Sequence, residues 1–274
     1  MSTPNELQPS VDRDGLLGVA ITAAEGAAAI IRGRAADAAS VQWRAKRPFD
    51  FVSEVDTSAE KAIREVILRE VPGAIVIAEE GSPNAQIGDA PTFIVDPLDG
   101  TTNFLHGYPA YAVSIGVLAD RAIVAGVVID VPAHDVYTAR VGNGAFCNSK
   151  PIRVSSITEP ALALIGTGFP FKDMQQLDLY QRQFAQVTRH TAGIRRPGSA
   201  ALDLASVACG RFDGFWELNL MSWDYAAGVL LIREAGGVVT DAAGGNPAFG
   251  ESAIVAGNPV LHAWLLDLIA GEAL

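Results

Sequence analysis

Cysteine, histidine and basic residues are all scarce in this chain, and each shortage excludes a class of protein. Two cysteines occur in 274 residues, Cys147 and Cys209, without Cys-x-x-Cys spacing. This excludes a disulfide framework and a cysteine-based zinc site, and it fits a reducing compartment. The four histidines have no ligand spacing, and we interpret them as structural. The 20 basic residues face 31 acidic ones, and the net charge of -11 disfavours binding to nucleic acid or to an anionic membrane.

The chain also lacks the features of an exported or membrane-spanning protein. No basic segment precedes an apolar run near the N-terminus, and the alanine-rich stretch 18–31 is interrupted by Glu25. We therefore predict a helix over residues 11–34 rather than a signal peptide or a membrane span, and a cytoplasmic location. Repeats, heptads and low-complexity tracts are missing as well. A length of 274 residues with 49% hydrophobic content suits one large domain or two smaller ones that share a core.

The stretch 92–104 is the most informative part of the sequence. An apolar segment with the pattern of a strand ends in two carboxylates, Asp96 and Asp99, and Gly100 and Thr101 follow them. Such a strand end can direct both carboxylates into one space, and the free N–H groups of a helix that starts at Thr101 can face a phosphate. The alternative is an ordinary turn in which Asp96 only caps the backbone, because Asp, Pro and Gly are common turn residues.

Carboxylates follow other predicted strands and helix starts as well. Glu79 comes after one predicted strand, and Glu217 lies at the end of another. Asp56 and Asp224 stand at predicted helix starts, where capping is the usual role of a lone aspartate. Strands that each deliver an acid predict a shared acidic pocket at one edge of a sheet.

Two further predictions concern the segment that follows the first helix. Basic residues are concentrated at 43–48, where we predict a solvated loop, with a flap that approaches an anionic site as the alternative. A second helix is predicted to begin at about Ser58, because Thr57 and Glu60 have the spacing of a capping box.

The rest of the chain alternates between helices and strands, which predicts mixed α/β layering. Strands are predicted at 75–77, 93–95, 111–118, 123–131, 136–139, 162–166, 194, 214–218, 238–240 and 254–256, and helices at 174–189, 199–209, 224–235 and 259–269. A loop-like composition near 154–160 marks a boundary. We predict an N-terminal α+β part, residues 1–155, that carries most of the metal ligands, and a C-terminal α/β part, residues 156–274, that carries Asp224.

Two motifs in this pattern point to a family. Residues 96–104, Asp-Pro-Leu-Asp-Gly-Thr-Thr-Asn-Phe, and residues 223–228, Trp-Asp-Tyr-Ala-Ala-Gly, closely resemble the signature motifs of the inositol monophosphatase family. The resemblance continues through residues 79–81, 166–170, 198–204 and 234–237. It implies an α/β (α+β) fold, the layered α-β-α-β-α sandwich of the inositol monophosphatase and fructose-1,6-bisphosphatase type. Homodimeric assembly is usual in that family.

The resemblance also implies a role for each of the acids. The family's metal ligands fall on Glu79, Asp96, the Leu98 carbonyl, Asp99 and Asp224, which would hold two or three Mg²⁺ ions. Catalysis falls on Asp56 and Thr101, the proton-accepting pair for the attacking water, and on Glu79. Phosphate binding falls on Gly100 and Thr101, and substrate binding on Asp99, Gly198, Ser199, Ala200, Glu217 and Asp224. Carboxylate and carbonyl oxygens are the ligands that suit Mg²⁺.

The implied activity is that of a Mg²⁺-dependent, lithium-sensitive phosphomonoesterase acting on inositol monophosphate or a similar small polyol phosphate. Histidinol phosphate, fructose 1,6-bisphosphate and 3'-phosphoadenosine 5'-phosphate are alternative substrates. Relatives specialised for the first or the last of these often carry Lys where this chain has Thr102, so Thr102 favours the inositol type. Gly81 departs from the Ser that often follows the acidic pair in the family, which affects the surroundings of a third ion. An alternative of another class is a regulatory binding protein with the same fold.

Overall fold

Each predicted helix and strand is present in the predicted order, and four further strands are present as well. The computed structural model describes residues 12–47, 50–171 and 174–271. The helices are α1 (Arg13–Ala35), α2 (Glu54–Glu70), α3 (Thr101–Leu105), α4 (Leu177–His190), α5 (Ala200–Ala208), α6 (Ser222–Glu234) and α7 (Pro259–Ala270). The strands are β1 (Trp43–Arg47), β2 (Asp50–Ser53), β3 (Ile75–Ala78), β4 (Thr92–Asp99), β5 (Ala112–Ala119), β6 (Ala122–Asp130), β7 (Asp135–Arg140), β8 (Gly144–Cys147), β9 (Lys150–Ile152), β10 (Leu164–Thr167), β11 (Gly193–Arg195), β12 (Gly214–Leu220), β13 (Val238–Thr240) and β14 (Ser252–Gly257).

Two large sheets and three helical layers form the sandwich. The seven-stranded sheet has the order β3-β4-β5-β6-β7-β8-β9, and it is antiparallel except for the pair β3 and β4. The five-stranded sheet has the order β11-β10-β12-β14-β13. Helices α1 and α2 cover one face of the first sheet, α5 and α6 lie between the sheets, and α4 and α7 cover the second sheet. This is the predicted α-β-α-β-α layering.

Helix α6 lies close against the seven-stranded sheet because two glycines leave room for it. A Cβ at Gly116 in β5 would lie 2.7 Å from the Cβ of Ala226, and one at Gly126 in β6 would lie 3.0 Å from the Cα of Ala227. Larger residues would push α6 away from the sheet. Although α6 belongs to the predicted C-terminal part, it contacts both sheets, and the division at residue 155 stays a prediction.

Helix α1 confirms the predicted amphipathic helix within the described residues, while Val11 lies outside them. Its buried side chains are mostly alanines, which allow close packing against α2, β5 and β6. Among the described residues α1 is the one helix long and apolar enough to cross a membrane by length and composition. Its buried stripe, from Leu16 to Ile31, belongs to the hydrophobic core, which is the role of a core helix.

The segment between α1 and α2 differs from the prediction. Residues 43–47 form β1, which pairs antiparallel with β2, so the predicted loop is wrong over these residues, and residue 48 lies outside the described ones. Helix α2 begins at Glu54 rather than at Ser58, because the capping box is formed by Ser53 and Asp56 instead of Thr57 and Glu60. Helix α2 therefore follows β2 directly, with Ser53 as its N-cap residue.

Candidate active site

A cleft of about 360 Å³ opens where β4 ends and where α3, α5 and α6 begin. It is lined by Asp50, Phe51, Glu79, Asp96, Leu98, Asp99, Gly100, Thr101, Thr102, Asn103, Gly168, Phe169, Pro170, Phe171, Arg196, Gly198, Ser199, Ala200, Glu217, Leu218, Asn219, Leu220 and Asp224. Of the residues predicted for the site, all but Asp56 line it directly. Asp56 lies behind Thr101.

Three carboxylates meet in this cleft. Asp96, Asp99 and Asp224 each place an oxygen within 4.8 Å of the others. The pairing of β4 with β5 is irregular between Asp96 and Asp99, and the Leu98 N–H donates to Asp96 Oδ1 at 3.0 Å. This irregularity allows both strand-end carboxylates to reach the same space, as the sequence predicts.

The carboxylates of this cluster oppose one another's charge. Burial raises the pKa of Asp96 well above its usual range, and the nearby Glu79, Asp99 and Asp224 carboxylates raise it further. A bound cation reverses this relation, because an opposite charge favours the ionised form. The cluster thus has the electrostatics of a cation site.

Helix starts hold two of the three carboxylates in place. Asp99 Oδ2 accepts from Ser199 Oγ at 2.5 Å and from the Ala201 N–H at 2.8 Å, which ties β4 to the first turn of α5. Asp224 Oδ2 accepts from the Met221 N–H at 2.7 Å, at the first turn of α6. Asp224 therefore caps its helix and also faces the cleft, so the two interpretations of this residue are compatible.

Asp56 and Thr101 meet although 45 positions separate them in the sequence. Thr101 Oγ1 lies 2.7 Å from Asp56 Oδ1 and 3.0 Å from the Leu98 carbonyl oxygen. The other Asp56 oxygen accepts from the Ser53 hydroxyl and N–H, which completes the capping box. Burial raises the pKa of Asp56, while its hydrogen bonds with Ser53 and Thr101 lower it. Asp56 thus both caps α2 and contacts Thr101.

Lys46 is a site residue that the sequence analysis missed. Its Nζ lies 2.8 Å from Glu79 Oε1, 2.8 Å from Glu80 Oε1 and 3.5 Å from Asp50 Oδ1. Burial opposes the charge of Lys46, but the Glu79 and Glu80 carboxylates outweigh it and raise the pKa of this ammonium. Burial raises the pKa of Glu80 to about 7 despite the Lys46 hydrogen bond. Glu79 thus lines the cleft and forms an ion pair with Lys46, but it is not one of the three clustered carboxylates. The available signal was the basic run 43–48, which was interpreted as a loop.

Glu60 is a second missed residue, and it explains the departure at Gly81. The buried Glu60 carboxylate accepts from the backbone N–H groups of Glu80 and Gly81 at 2.9 and 3.1 Å. A Cβ at Gly81 would lie 2.3 Å from Glu60 Oε1, so this position has no room for Ser while Glu60 stays in place. Glu60 therefore fixes the chain at the end of β3, where Glu79 enters the site.

The opposite wall of the cleft carries the residues predicted for the substrate's alcohol. Gly198 adopts φ +92°, and Asn103 Nδ2 donates to the neighbouring Pro197 carbonyl at 2.9 Å, which fixes this turn against α3. A Cβ at Gly168 would lie 1.9 Å from Glu217 Oε1, so Gly168 leaves space for the Glu217 carboxylate. Ser199 and Ala200 line the cleft between this wall and the acidic cluster.

Histidines and cysteines take no part in the cleft as described. His262 is buried and lies 2.9 Å from Thr240 Oγ1, and burial lowers its pKa. The other histidines, His106, His134 and His190, are exposed. Both cysteines are free thiols, half-buried at the edge of the core between the sheets.

Comparison with known proteins identifies relatives that match this chain over nearly its full length. The model of the inositol monophosphatase family matches residues 12–272. The chain is 42% identical to the inositol-1-monophosphatase of Rhizobium meliloti (strain 1021), over 94% of this chain and 97% of that protein. It is 41% identical to the Nus factor SuhB of Pseudomonas aeruginosa, over 93% of this chain and 95% of that protein. The crystal structure of the extragenic suppressor protein suhB from Bartonella henselae superposes with a TM-score of 0.88 at 41% identity, covering 93% and 98% of the two chains.

The five-layer sandwich, the acidic cleft and these matches define the class as a phosphoric monoester hydrolase, as predicted. The chain belongs to the inositol monophosphatase family. The family is generally metal-dependent, and the cluster of Asp96, Asp99 and Asp224 is the candidate metal centre.

Proposed function

We propose that this protein is a Mg²⁺-dependent phosphomonoesterase that hydrolyses inositol monophosphate or a similar small polyol phosphate. The main support is the meeting of Asp96, Asp99 and Asp224, whose oxygens lie within 4.8 Å of one another at the wall of one cleft. Thr101 faces the same cleft and donates to the buried Asp56, which provides a proton acceptor beside the cluster.

The donor set fits Mg²⁺. Carboxylates and a backbone carbonyl surround the cleft, and oxygen ligands without sulfur or imidazole suit a hard cation. The residues that would hold the ions are Glu79, Asp96, the Leu98 carbonyl, Asp99 and Asp224. The chemistry supplied by bound Mg²⁺ is neutralisation of the phosphoryl charge and activation of a water. Glu79 would share its carboxylate between the ion and Lys46, which contacts Oε1.

Proton transfer falls to Thr101 and Asp56. The Thr101 hydroxyl donates its proton towards Asp56 at 2.7 Å, which leaves an oxygen lone pair free to accept a proton from the attacking water. Asp56 can then take up the Thr101 proton, and burial raises its pKa in the direction that favours this uptake. The Ser53 hydrogen bonds hold the carboxylate in the required orientation.

The substrate would lie between the two walls of the cleft. The backbone N–H groups of Gly100 and Thr101 would bind its phosphate, while Gly198, Ser199, Ala200 and Glu217 would contact the alcohol. A carboxylate such as Glu217 accepts hydrogen bonds from hydroxyl groups, which suits a polyol. The proposal includes homodimeric assembly and a cytoplasmic location, and light scattering on the purified chain tests the assembly.

A phosphate-release screen tests this function. The substrates are inositol 1-phosphate, histidinol phosphate, fructose 1,6-bisphosphate and 3'-phosphoadenosine 5'-phosphate, each with Mg²⁺ and with excess chelator. We expect Mg²⁺-dependent release, highest with a polyol phosphate, and loss of release in Asp99→Asn. Asp89→Asn, which changes an exposed loop acid, is the matched control and should keep full activity. Turnover that persists in chelator would reject the proposal.

The names of some relatives favour a second candidate function. The chain is 41% identical to a protein named a Nus factor over 93% of its length. A regulatory binding role would use surfaces outside the cleft, so it would persist when the site is inactive. We expect Asp99→Asn to lose phosphatase activity under either function. Only a regulatory role allows this variant to replace the native protein in the cell, so complementation separates the two candidates.

A further inference from the structure

Arg196 is a basic residue in an otherwise acidic cleft. It follows β11, and its guanidinium carbon lies 4.9 Å from the ring centroid of Phe169 and 5.6 Å from that of Phe171. Among the described residues that line the cleft it is the one with a basic side chain. Six acids line the same space: Asp50, Glu79, Asp96, Asp99, Glu217 and Asp224.

Within the described part of the chain, the Arg196 guanidinium has no hydrogen-bond partner and no carboxylate within 4.0 Å. Its Nε is buried without a partner. Leaving a buried donor unsatisfied costs about 1–3 kcal/mol, so such groups in native proteins need an explanation. A ligand that accepts from this guanidinium would supply one.

The surrounding residues hold Arg196 ready for such a ligand. A Cβ at Gly198 would lie 2.5 Å from Arg196 Nη1, so Gly198 leaves space for the guanidinium. Contact with the faces of Phe169 and Phe171 restricts the side chain before a ligand arrives. The Arg196 charge lowers the pKa of buried Asp203, but burial and the Glu217 and Asp99 carboxylates raise that pKa by more. None of these contacts accepts a hydrogen bond from the guanidinium nitrogens of Arg196.

We propose that Arg196 binds a second phosphate group on the alcohol part of the substrate. Guanidinium matches phosphate in a two-pronged geometry and keeps its charge at every working pH. Arg196 lies on the wall with Gly198 and Glu217, so the group it binds is distinct from the phosphate held at the acidic cluster. This inference rests on the proposed phosphatase function, and it adds polyol bisphosphates to the polyol monophosphates that the cleft would bind.

Steady-state kinetics of Arg196→Gln on two substrates tests the proposal. Fructose 1,6-bisphosphate carries the second phosphate, and inositol 1-phosphate does not. We expect KM for the bisphosphate to rise about tenfold, while KM for the monophosphate changes less than about twofold. Arg196→Lys should give an intermediate KM, because a point charge lacks the fork. Arg195→Gln is the matched control, since Arg195 is exposed and outside the cleft, and it should behave as the native protein.

Equilibrium binding separates failure of this inference from failure of the phosphatase proposal. Titration calorimetry with fructose 1,6-bisphosphate in excess chelator, where no turnover is expected, gives its affinity for the native protein and for both Arg196 variants, with thermal melting to check their folding. If the native chain hydrolyses neither substrate, the phosphatase proposal fails, but a tenfold weaker affinity in Arg196→Gln still supports the anion site. Equal affinity in the native and Gln proteins, or an equal KM change on both substrates, overturns it.

Discussion

The hydrogen bond between Thr101 and Asp56 gives the sharpest test of the proposed mechanism. Thr101→Ala removes the hydroxyl that lies 2.7 Å from Asp56 and leaves the acidic cluster unchanged. Loss of a positioned proton acceptor should lower kcat by about 100-fold, which corresponds to about 2.7 kcal/mol of transition-state stabilisation. Mg²⁺ affinity should stay close to that of the native protein, because none of the proposed metal ligands changes.

The same substitution has a calculable effect on stability. Asp56 keeps its two Ser53 donors, so only one hydrogen bond to a carboxylate is lost, worth about 1.5 kcal/mol. For a chain of this size that lowers Tm by about 3–6 °C. Ser53→Ala is the matched control, since it removes a capping hydroxyl from the same carboxylate at a cost of about 1 kcal/mol and leaves the Thr101 contact in place. Ser53→Ala should have a lower Tm than the native protein but keep most of its turnover.

Three assays together decide the role of Thr101. Turnover on inositol 1-phosphate gives kcat, titration calorimetry gives Mg²⁺ affinity, and thermal melting gives Tm. Thr101→Ser keeps the oxygen and should recover turnover to within about threefold of the native rate. If Thr101→Ala loses metal affinity and turnover together, or if Ser53→Ala loses as much turnover as Thr101→Ala, Thr101 is structural and Asp56 only a cap.

The remaining predictions concern other parts of the site. Asp96→Asn should nearly abolish Mg²⁺-dependent turnover yet raise Tm in chelator, because burial and neighbouring carboxylates raise the folded pKa of Asp96 above its unfolded value, so its ionised form destabilises the metal-free fold at neutral pH. The stability gain should shrink as pH falls and the native Asp96 becomes protonated; an unchanged Tm at pH 7 contradicts this. Glu217→Gln should raise KM for a polyol phosphate, with a much smaller effect on an aryl phosphate; equal losses on both would remove Glu217 from specificity. Li⁺ should inhibit hydrolysis, and the inhibition should weaken as the Mg²⁺ concentration is raised, because the family resemblance implies that Li⁺ enters one of the Mg²⁺ sites; an effect of Li⁺ no greater than that of a Na⁺ control would contradict this.

The acidic cluster was predictable because its determinants are local. Asp96 and Asp99 follow an apolar strand within one short motif, and Asp224 stands at a helix start, so each position could be inferred from a few neighbouring residues. The layering followed for the same reason, from alternating helical and strand patterns. Family motifs then related these local patterns to one another across more than 100 positions of sequence.

The missed residues depend on contacts between distant segments. Lys46 reaches Glu79 and Glu80 only because β1 and β2 pair as a hairpin, and the basic composition of β1 resembled that of a loop. Glu60 was assigned to a capping box, whereas its carboxylate binds backbone groups 20 and 21 positions away. Nothing local to the sequence predicts such partners, because a carboxylate or an ammonium is compatible with many environments until the fold brings one of them near.

Because α6 is buried, amide hydrogen exchange near the proposed metal ligand Asp224 should differ from exchange near the proposed ligand Glu79. Every residue from Ser222 to Ile232 is buried, so Asp224 is carried by a helix without an exposed face. Amide protons of such a helix exchange with solvent only when the whole fold opens, whereas those of a two-stranded hairpin exchange through local opening. The proposed ligand Glu79 contacts Lys46 of the hairpin formed by β1 and β2. At low denaturant concentration, metal binding should therefore slow amide exchange around Glu79. Around Asp224, metal binding should slow exchange only as far as it raises the free energy of unfolding of the whole protein.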